Sequence, residues 1–195
     1  MEINMNTTKN IMIVGVGGQG ALLASKTLGQ VLLDAGFDVK VSEVHGMSQR
    51  GGSVVTYVRY GDKVYSPIVD KGQADFIVSF EQLEAARYLA YLAPDGQIVT
   101  NTQSIDPMPV ITGAATYPEN IVSKLQATGA KVDALDCLKL AEEAGSVKAV
   151  NIVLMGRLSK YMDFSEESWL KAIEKLVKPA FLEINKKAFT LGRNA

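Results

Sequence analysis

The side chains best equipped for chemistry lie in one stretch, EVHGMSQRGGS, from Glu43 to Ser53. It holds an acid (Glu43), the only histidine (His45), a thioether (Met47), a hydroxyl (Ser48), an amide (Gln49) and a guanidinium (Arg50). The imidazole titrates near neutrality, and Arg50 offers a planar fork of donors suited to a carboxylate or phosphate. Gly46, Gly51 and Gly52 give the backbone unusual conformations or close approach. A nucleophilic hydrolase is not indicated: Ser48 has His45 nearby, but no strand–turn–helix elbow surrounds it. Loops carry function more readily than cores do. The bland alternative is a hydrated loop whose polar groups satisfy their own backbone, a role for which a methionine and three glycines are poorly suited.

A second set lies upstream, in IMIVGVGGQG. The apolar run Ile11 to Val14 reads as a strand that enters Gly15, Gly17, Gly18 and Gly20, with Gln19 between the last two. A helix pattern comes next, with Ala21, Ala24, Leu28, Val31, Leu32 and Ala35 on one face at the 3.6-residue period. Gly15 is expected to permit the tight turn, Gly17 to let backbone N–H groups approach an anion, and Gly20 to let the helix pack close to the strand. The helix N-terminus would then face the anion. Glycines that only make a compact turn are the plainer reading.

Val39 to Ser42 reads as the second strand and delivers Glu43, 23 residues after Gly20, where an NAD enzyme places its ribose-binding acid. The residues beyond Ser53 argue against that enzyme class. A second crossover helix is expected, yet the chain continues into SVVTYVRY, then Gly61-Asp62, then KVYS, which reads as a β-hairpin. Ala74 to Phe80 is a strand candidate. EQLEAARYLAYLA is helix-patterned up to Pro94-Asp95-Gly96, and Gln97 to Asn101 is a further strand. Residues 102–118 hold Pro107, Pro109 and Pro118 and read as irregular, with Val110-Ile111 extended. Pro118 opens a helix that Gly129 closes, and Lys131 to Leu135 supplies a fifth strand. From Cys137 onward only helices are expected. The segment 149–162 is apolar nearly all round, with Gly156 allowing close contact. Ser165 caps the next helix, whose stripe is Trp169, Leu170, Ile173 and Val177.

Composition bounds the possibilities. The 195 residues, 47% hydrophobic, suffice for one domain with a proper core. A net charge of −1 leaves no electrostatic footprint for nucleic acid or an anionic membrane. No apolar run approaches the roughly 20 residues that span a bilayer. The first nine residues are polar, read as a flexible tail, and point to a cytoplasmic chain. The single cysteine, Cys137, cannot furnish the four ligands of an iron–sulfur cluster, and one histidine leaves no zinc-ligand set. Cys137 reads as a packed small hydrophobe.

IMIVGVGGQG, followed by a strand ending in SEVHGMSQRGGSV and then a hairpin, resembles the γ-type subunit or domain of the 2-oxoacid:ferredoxin oxidoreductases over nearly the whole chain. The HGMSQRGG form is most similar to the small subunit of the indolepyruvate-type enzymes. The implied fold is α/β: a Rossmann-like, mostly parallel sheet with helices on both faces, an inserted β-hairpin and a helical C-terminal third. The implied assembly is a heterotetramer with a large α subunit that holds thiamine diphosphate, magnesium and the iron–sulfur clusters. The implied reaction decarboxylates indolepyruvate or another arylpyruvate, passes two electrons to ferredoxin and transfers the acyl group to coenzyme A. The thiamine–magnesium signature itself is missing here: Pro94-Asp95-Gly96 has no preceding glycine and no suitably spaced asparagine pair. The resemblance itself assigns no residue-level role, and it is the motif and chemical type that make Glu43, His45 and Arg50 candidate catalytic residues at the interface with the large subunit. Gly15, Gly17, Gly18, Gln19, Gly20, Ser48, Gln49, Gly51 and Gly52 become candidate cofactor-binding positions. An NAD(P)-dependent oxidoreductase and a non-catalytic nucleotide-binding module are the alternatives.

Overall fold

The computed structural model describes residues 8–43 and 51–195. Six strands form one sheet: β1 (Lys9–Val16), β2 (Asp38–Glu43), β3 (Ser53–Gly61), β4 (Ala74–Ser79), β5 (Leu92–Asn101) and β6 (Lys131–Leu135), in the order β2-β3-β1-β4-β5-β6. β1, β4, β5 and β6 run parallel, whereas β3 is antiparallel to both of its neighbours. Of the expected nine-residue tail, residues 1–7 lie outside the described residues, and Lys9 already pairs with Tyr60.

Strand parity divides the core into two layers. Ile11 and Ile13 of β1 face α1 (Ala21–Asp34), α5 (Cys137–Ala144), α6 (Val150–Leu158), α7 (Glu166–Leu176) and α8 (Leu182–Asn194). Met12 and Val14 face the thinner layer of α2 (Gln82–Arg87) and α4 (Ile121–Ala127). The α/β architecture with helices on both faces and a helical C-terminal third is therefore as expected.

The hairpin forms with a different partner. Residues 63–66 are not a strand; β3 pairs instead with β2, which precedes it, and with β1. Its run of β-branched and aromatic residues suits a strand flanked on both sides. Both of its edges are thereby used, so the chain after Gly61 has no edge to join. Side chains hold that segment down: Asp38 Oδ2 accepts the Val64 N–H at 2.9 Å, and Arg59 donates to the carbonyls of Ser66 and Ile68 at 2.9 and 3.0 Å.

Three boundaries also move. The helix expected up to Ala93 ends as α2 at Arg87, and β5 begins at Leu92, so Pro94-Asp95-Gly96 lies inside a strand. Pro94 is tolerated because the β4–β5 register slips at this point, and a Cβ on Gly96 would lie 2.7 Å from the Ala74 carbonyl. Val110-Ile111 belongs to a short helix, α3 (Met108–Ile111), and not to an extended segment. Pro118 precedes α4, which starts after Asn120 at φ 54°.

The C-terminal helices obey their sequence signals. Ser165 accepts the Ser168 N–H as the cap of α7. Trp169 and Phe189 stack with ring centroids 5.8 Å apart. Gly156 does allow close contact: a Cβ there would lie 2.1 Å from the Phe189 carbonyl oxygen in α8. Cys137 is fully buried at the start of α5.

Candidate functional site

The site is built where β1 ends. Val16 donates its N–H to Gln19 Oε1 at 2.8 Å, and Gln19 N–H returns to the Val16 carbonyl at 3.3 Å, closing the turn. The Gln19 amide nitrogen donates to the Phe80 carbonyl at 3.1 Å, which joins the turn to the end of β4. Asn101 Nδ2 donates to that same carbonyl at 3.2 Å, and Asn101 Oδ1 accepts the Cys137 N–H at 3.1 Å. One carbonyl thus receives two side-chain amides at the C-terminal edge of the parallel strands, the edge where open α/β sheets place ligands.

Each glycine has its own part. Gly15 makes room: a Cβ would lie 2.9 Å from both Phe80 Cβ and Gln19 Oε1. Gly20 has φ 87°, and a Cβ there would meet Asn151 Nδ2 at 2.6 Å. Asn151, almost fully buried in α6, donates to the Gly20 carbonyl at 3.2 Å. Gly17 donates its N–H to the Gly52 carbonyl at 2.9 Å and accepts the Gly51 N–H at 3.3 Å. These two bonds continue the β1–β3 ladder past its last strand pair, Val16 with Ser53. The antiparallel insertion of β3 therefore brings the glycine turn and the end of the loop side by side.

Glu43 completes the wall. It leaves β2 on the α1 face, and its Oε1 accepts the Ser25 hydroxyl at 2.9 Å. Val16, Gly17, Gly18, Gln19, Gly20 and Glu43 line a cavity of about 350 Å³ closed on the other side by residues 54–56. The structure thus gathers Gly17, Gly18, Gln19, Gly20 and Glu43 around one space, with Gly51 and Gly52 bonded to its rim. Gly15 lies behind it in the packing. Gly46 and Met47, and the candidates His45, Ser48, Gln49 and Arg50, lie outside the described residues.

The geometry differs from a dinucleotide fold at the decisive strand. There the acid-bearing strand lies beside β1; here β3 intervenes, which moves Glu43 away by one further strand spacing of about 4.8 Å. Asn151, Asn101, Ser25 and the Phe80 carbonyl were not legible as site residues. They are isolated polar groups in apolar or helical runs, and only the tertiary fold aims them at the turn. Among the described residues, no group of three or more His, Cys, Asp or Glu side chains could hold a metal ion. Cys137 is buried, and its burial pushes the thiol well above the ordinary range. Among those residues no helix is long and apolar enough to cross a membrane.

The turn, the inserted antiparallel strand and the helical C-terminal third define a class. The chain belongs to the pyruvate ferredoxin/flavodoxin oxidoreductase family, which it matches over residues 10–195. It is 47% identical over 193 residues to the indolepyruvate oxidoreductase subunit IorB of Thermococcus kodakarensis, covering 95% of both chains. The subunit of the same name from Archaeoglobus fulgidus is 40% identical, with 95% of this chain and 94% of that one covered. In fold, the chain is similar to the pyruvate oxidoreductase subunit PORC of Thermotoga maritima, with a TM-score of 0.76 at 22% identity and 97% of each chain covered.

Proposed function

We propose that this chain is the small subunit of an indolepyruvate-type 2-oxoacid:ferredoxin oxidoreductase. It would act in a heterotetramer with a large subunit that oxidatively decarboxylates indolepyruvate or another arylpyruvate. In the balanced reaction, a 2-oxoacid, coenzyme A and two oxidised ferredoxins give an acyl-CoA, carbon dioxide, a proton and two reduced ferredoxins. The observation that carries the reading is the 40–47% identity, over nearly the full length of both chains, to subunits named for indolepyruvate.

The residues fit a division of labour. One buried cysteine cannot supply four cluster thiolates, and the cavity wall offers a carboxylate and backbone groups. The large subunit would hold thiamine diphosphate, magnesium and the clusters, which supply decarboxylation and electron transfer. This chain would contribute Glu43, and His45 and Arg50 from the adjoining loop, at the mouth of that site. The glycine turn, Ser48, Gln49, Gly51 and Gly52 would close around the cofactor or coenzyme A. The site would work in the cytoplasm.

The test is co-expression with the large subunit and an assay of arylpyruvate- and coenzyme A-dependent ferredoxin reduction, with pyruvate as the comparison substrate. Arg50→Ala should remove a charged hydrogen-bond donor worth about 1.5–3 kcal/mol, roughly a 10- to 150-fold loss in kcat/KM if the contact forms in the transition state. The melting curve of the small subunit should not move. Failure of the two chains to copurify, or a complex inert toward every arylpyruvate, would refute the reading. Calorimetry that shows micromolar NAD binding to the subunit alone would revive the nucleotide-dependent alternative.

A further inference from the structure

Two buried carboxyl groups lie behind the end of the loop, and neither belongs to the cavity wall. Glu81 and Glu84, where β4 gives way to α2, are only 1% and 4% exposed. A carboxyl buried this deeply needs hydrogen bonds to replace its lost hydration. Glu81 finds them within its own layer. Its Oε2 accepts the Glu84 N–H at 2.9 Å as the cap of α2, and its Oε1 accepts the Ile105 N–H at 3.2 Å and the Tyr117 hydroxyl.

Glu84 is different because one of its partners comes from across the sheet. Its Oε1 pairs with Arg87 Nε at 3.0 Å, one turn further along α2, while its Oε2 accepts the hydroxyl of Ser53. Ser53 is the first residue of β3 and pairs with Val16, the last residue of β1. It directly succeeds Gly51 and Gly52, whose backbone groups bond to Gly17. Ser53 is itself exposed, so water could have satisfied its hydroxyl, yet the hydroxyl turns inward to a buried acid. An acid in the first turn of α2 suits the helix N-terminus, but its burial works the other way. Burial pushes its carboxyl above the ordinary range, and the nearby Glu81 adds to that push while Ser53 and Arg87 oppose it. A residue needed only to fill space under α2 would be apolar.

We propose that Glu84 is a positioning residue for this site. Through Ser53 it fixes Gly51 and Gly52 against Gly17 of the glycine turn, so that this edge of the cavity keeps one register. Arg87 holds the other carboxyl oxygen and so aims Oε2 at Ser53. The catalytic consequence rests on the proposed subunit role; the structural consequence does not.

Hydrogen–deuterium exchange on the full-length subunit tests the structural part directly. Ser53→Ala and Glu84→Ala should each speed exchange in peptides covering residues 16–19 and 44–54 by about 5- to 10-fold, the equivalent of one hydrogen bond. The rest of the sheet should exchange at the parent rate. Ser53→Thr, which keeps the hydroxyl, should restore protection, and Arg87→Ala should leave the loop exit within about twofold of the parent, since the Ser53 bond survives. In the reconstituted complex, Ser53→Ala should lower kcat/KM and Ser53→Thr should recover it. Because Ser53 is exposed, its variants test the proposal even if Glu84→Ala does not fold. Unchanged exchange at the loop exit in Ser53→Ala, or exchange raised equally throughout the sheet, would overturn the proposal. Local exchange behaving as expected in a complex inert toward arylpyruvates would instead overturn the functional reading alone.

Discussion

Replacing Gly20 with alanine tests whether the turn is held as tightly as the geometry says. Two effects oppose the change. The backbone stands at φ 87°, ψ 25°, and holding an L-residue in that left-handed region costs about 1–2 kcal/mol. The new methyl would also lie 2.6 Å from Asn151 Nδ2. Asn151 is 4% exposed in α6 and has little freedom to retreat, so its bond to the Gly20 carbonyl is lost, a further 0.5–1.5 kcal/mol or so. Together the two give roughly 1.5–3.5 kcal/mol, and at about 2–4 °C per kcal/mol for a chain of this length the melting temperature should fall by about 3–14 °C. Thermal melts monitored by circular dichroism measure this. Adding Asn151→Ala separates the two effects, because the double variant relieves the clash and leaves the φ strain. It should therefore melt higher than the sum of the single changes requires. A Gly20→Ala melting temperature within about 2 °C of the parent would mean that neither strain nor contact operates as described.

The same packing sets three further outcomes. Gly156→Ala would push a methyl to 2.1 Å from the Phe189 carbonyl oxygen in α8, and overpacking of this kind costs about 1–3 kcal/mol or more; urea unfolding should show a clearly lower midpoint, and an unchanged one would contradict the close α6–α8 approach. Cys137 is fully buried with its thiol pushed upward, so Ellman's reagent should leave the native subunit unlabelled and react with one equivalent only after denaturation; rapid native labelling would refute that placement. Burial raises the Glu84 carboxyl, so its stabilising contribution is complete below the ordinary carboxyl value and is lost as pH rises through the folded-state value. The stability difference between the parent and Glu84→Gln should therefore shift against the parent as pH rises above the ordinary carboxyl value, and urea titrations giving a pH-independent difference would exclude a raised value.

The elements that carry a local signal were legible. Ile11 to Val14, the glycines after it and the 3.6-residue stripe of α1 each announce themselves within a dozen residues, as do the Ser165 cap and the Trp169 stripe. The partner of β3 was not legible, because strand pairing is decided between segments, and residues 63–66 carry the same extended pattern as a true strand. Pro94-Asp95-Gly96 was misleading for a related reason. It stops a helix by local rules, but a register slip lets it lie within β5. Of the residues that line or brace the cavity, the glycines and Glu43 stand out by motif spacing, whereas Asn151, Glu81 and Glu84 sit in helix-forming runs where a polar residue is ordinarily solvent-facing. Their burial depends on which layer covers them.

The position of β3 accounts for both what the site keeps of a nucleotide-binding unit and what it gives up. The strand–turn–helix sequence of such a unit is intact from Ile11 to Asp34. A strand entering antiparallel beside β1 must begin where β1 ends, so whatever precedes it is carried to the glycine turn. Among the described residues these are Gly51 and Gly52, which bond to Gly17. The same insertion separates Glu43 from β1 by an intervening strand and removes the ribose-binding geometry. Gly17 then commits its N–H to Gly52, so the turn gives its own loop a donor that a dinucleotide fold would offer to a pyrophosphate. A strand–turn–helix unit of the kind that elsewhere offers its first backbone donors to an anion here spends one of them on its own chain.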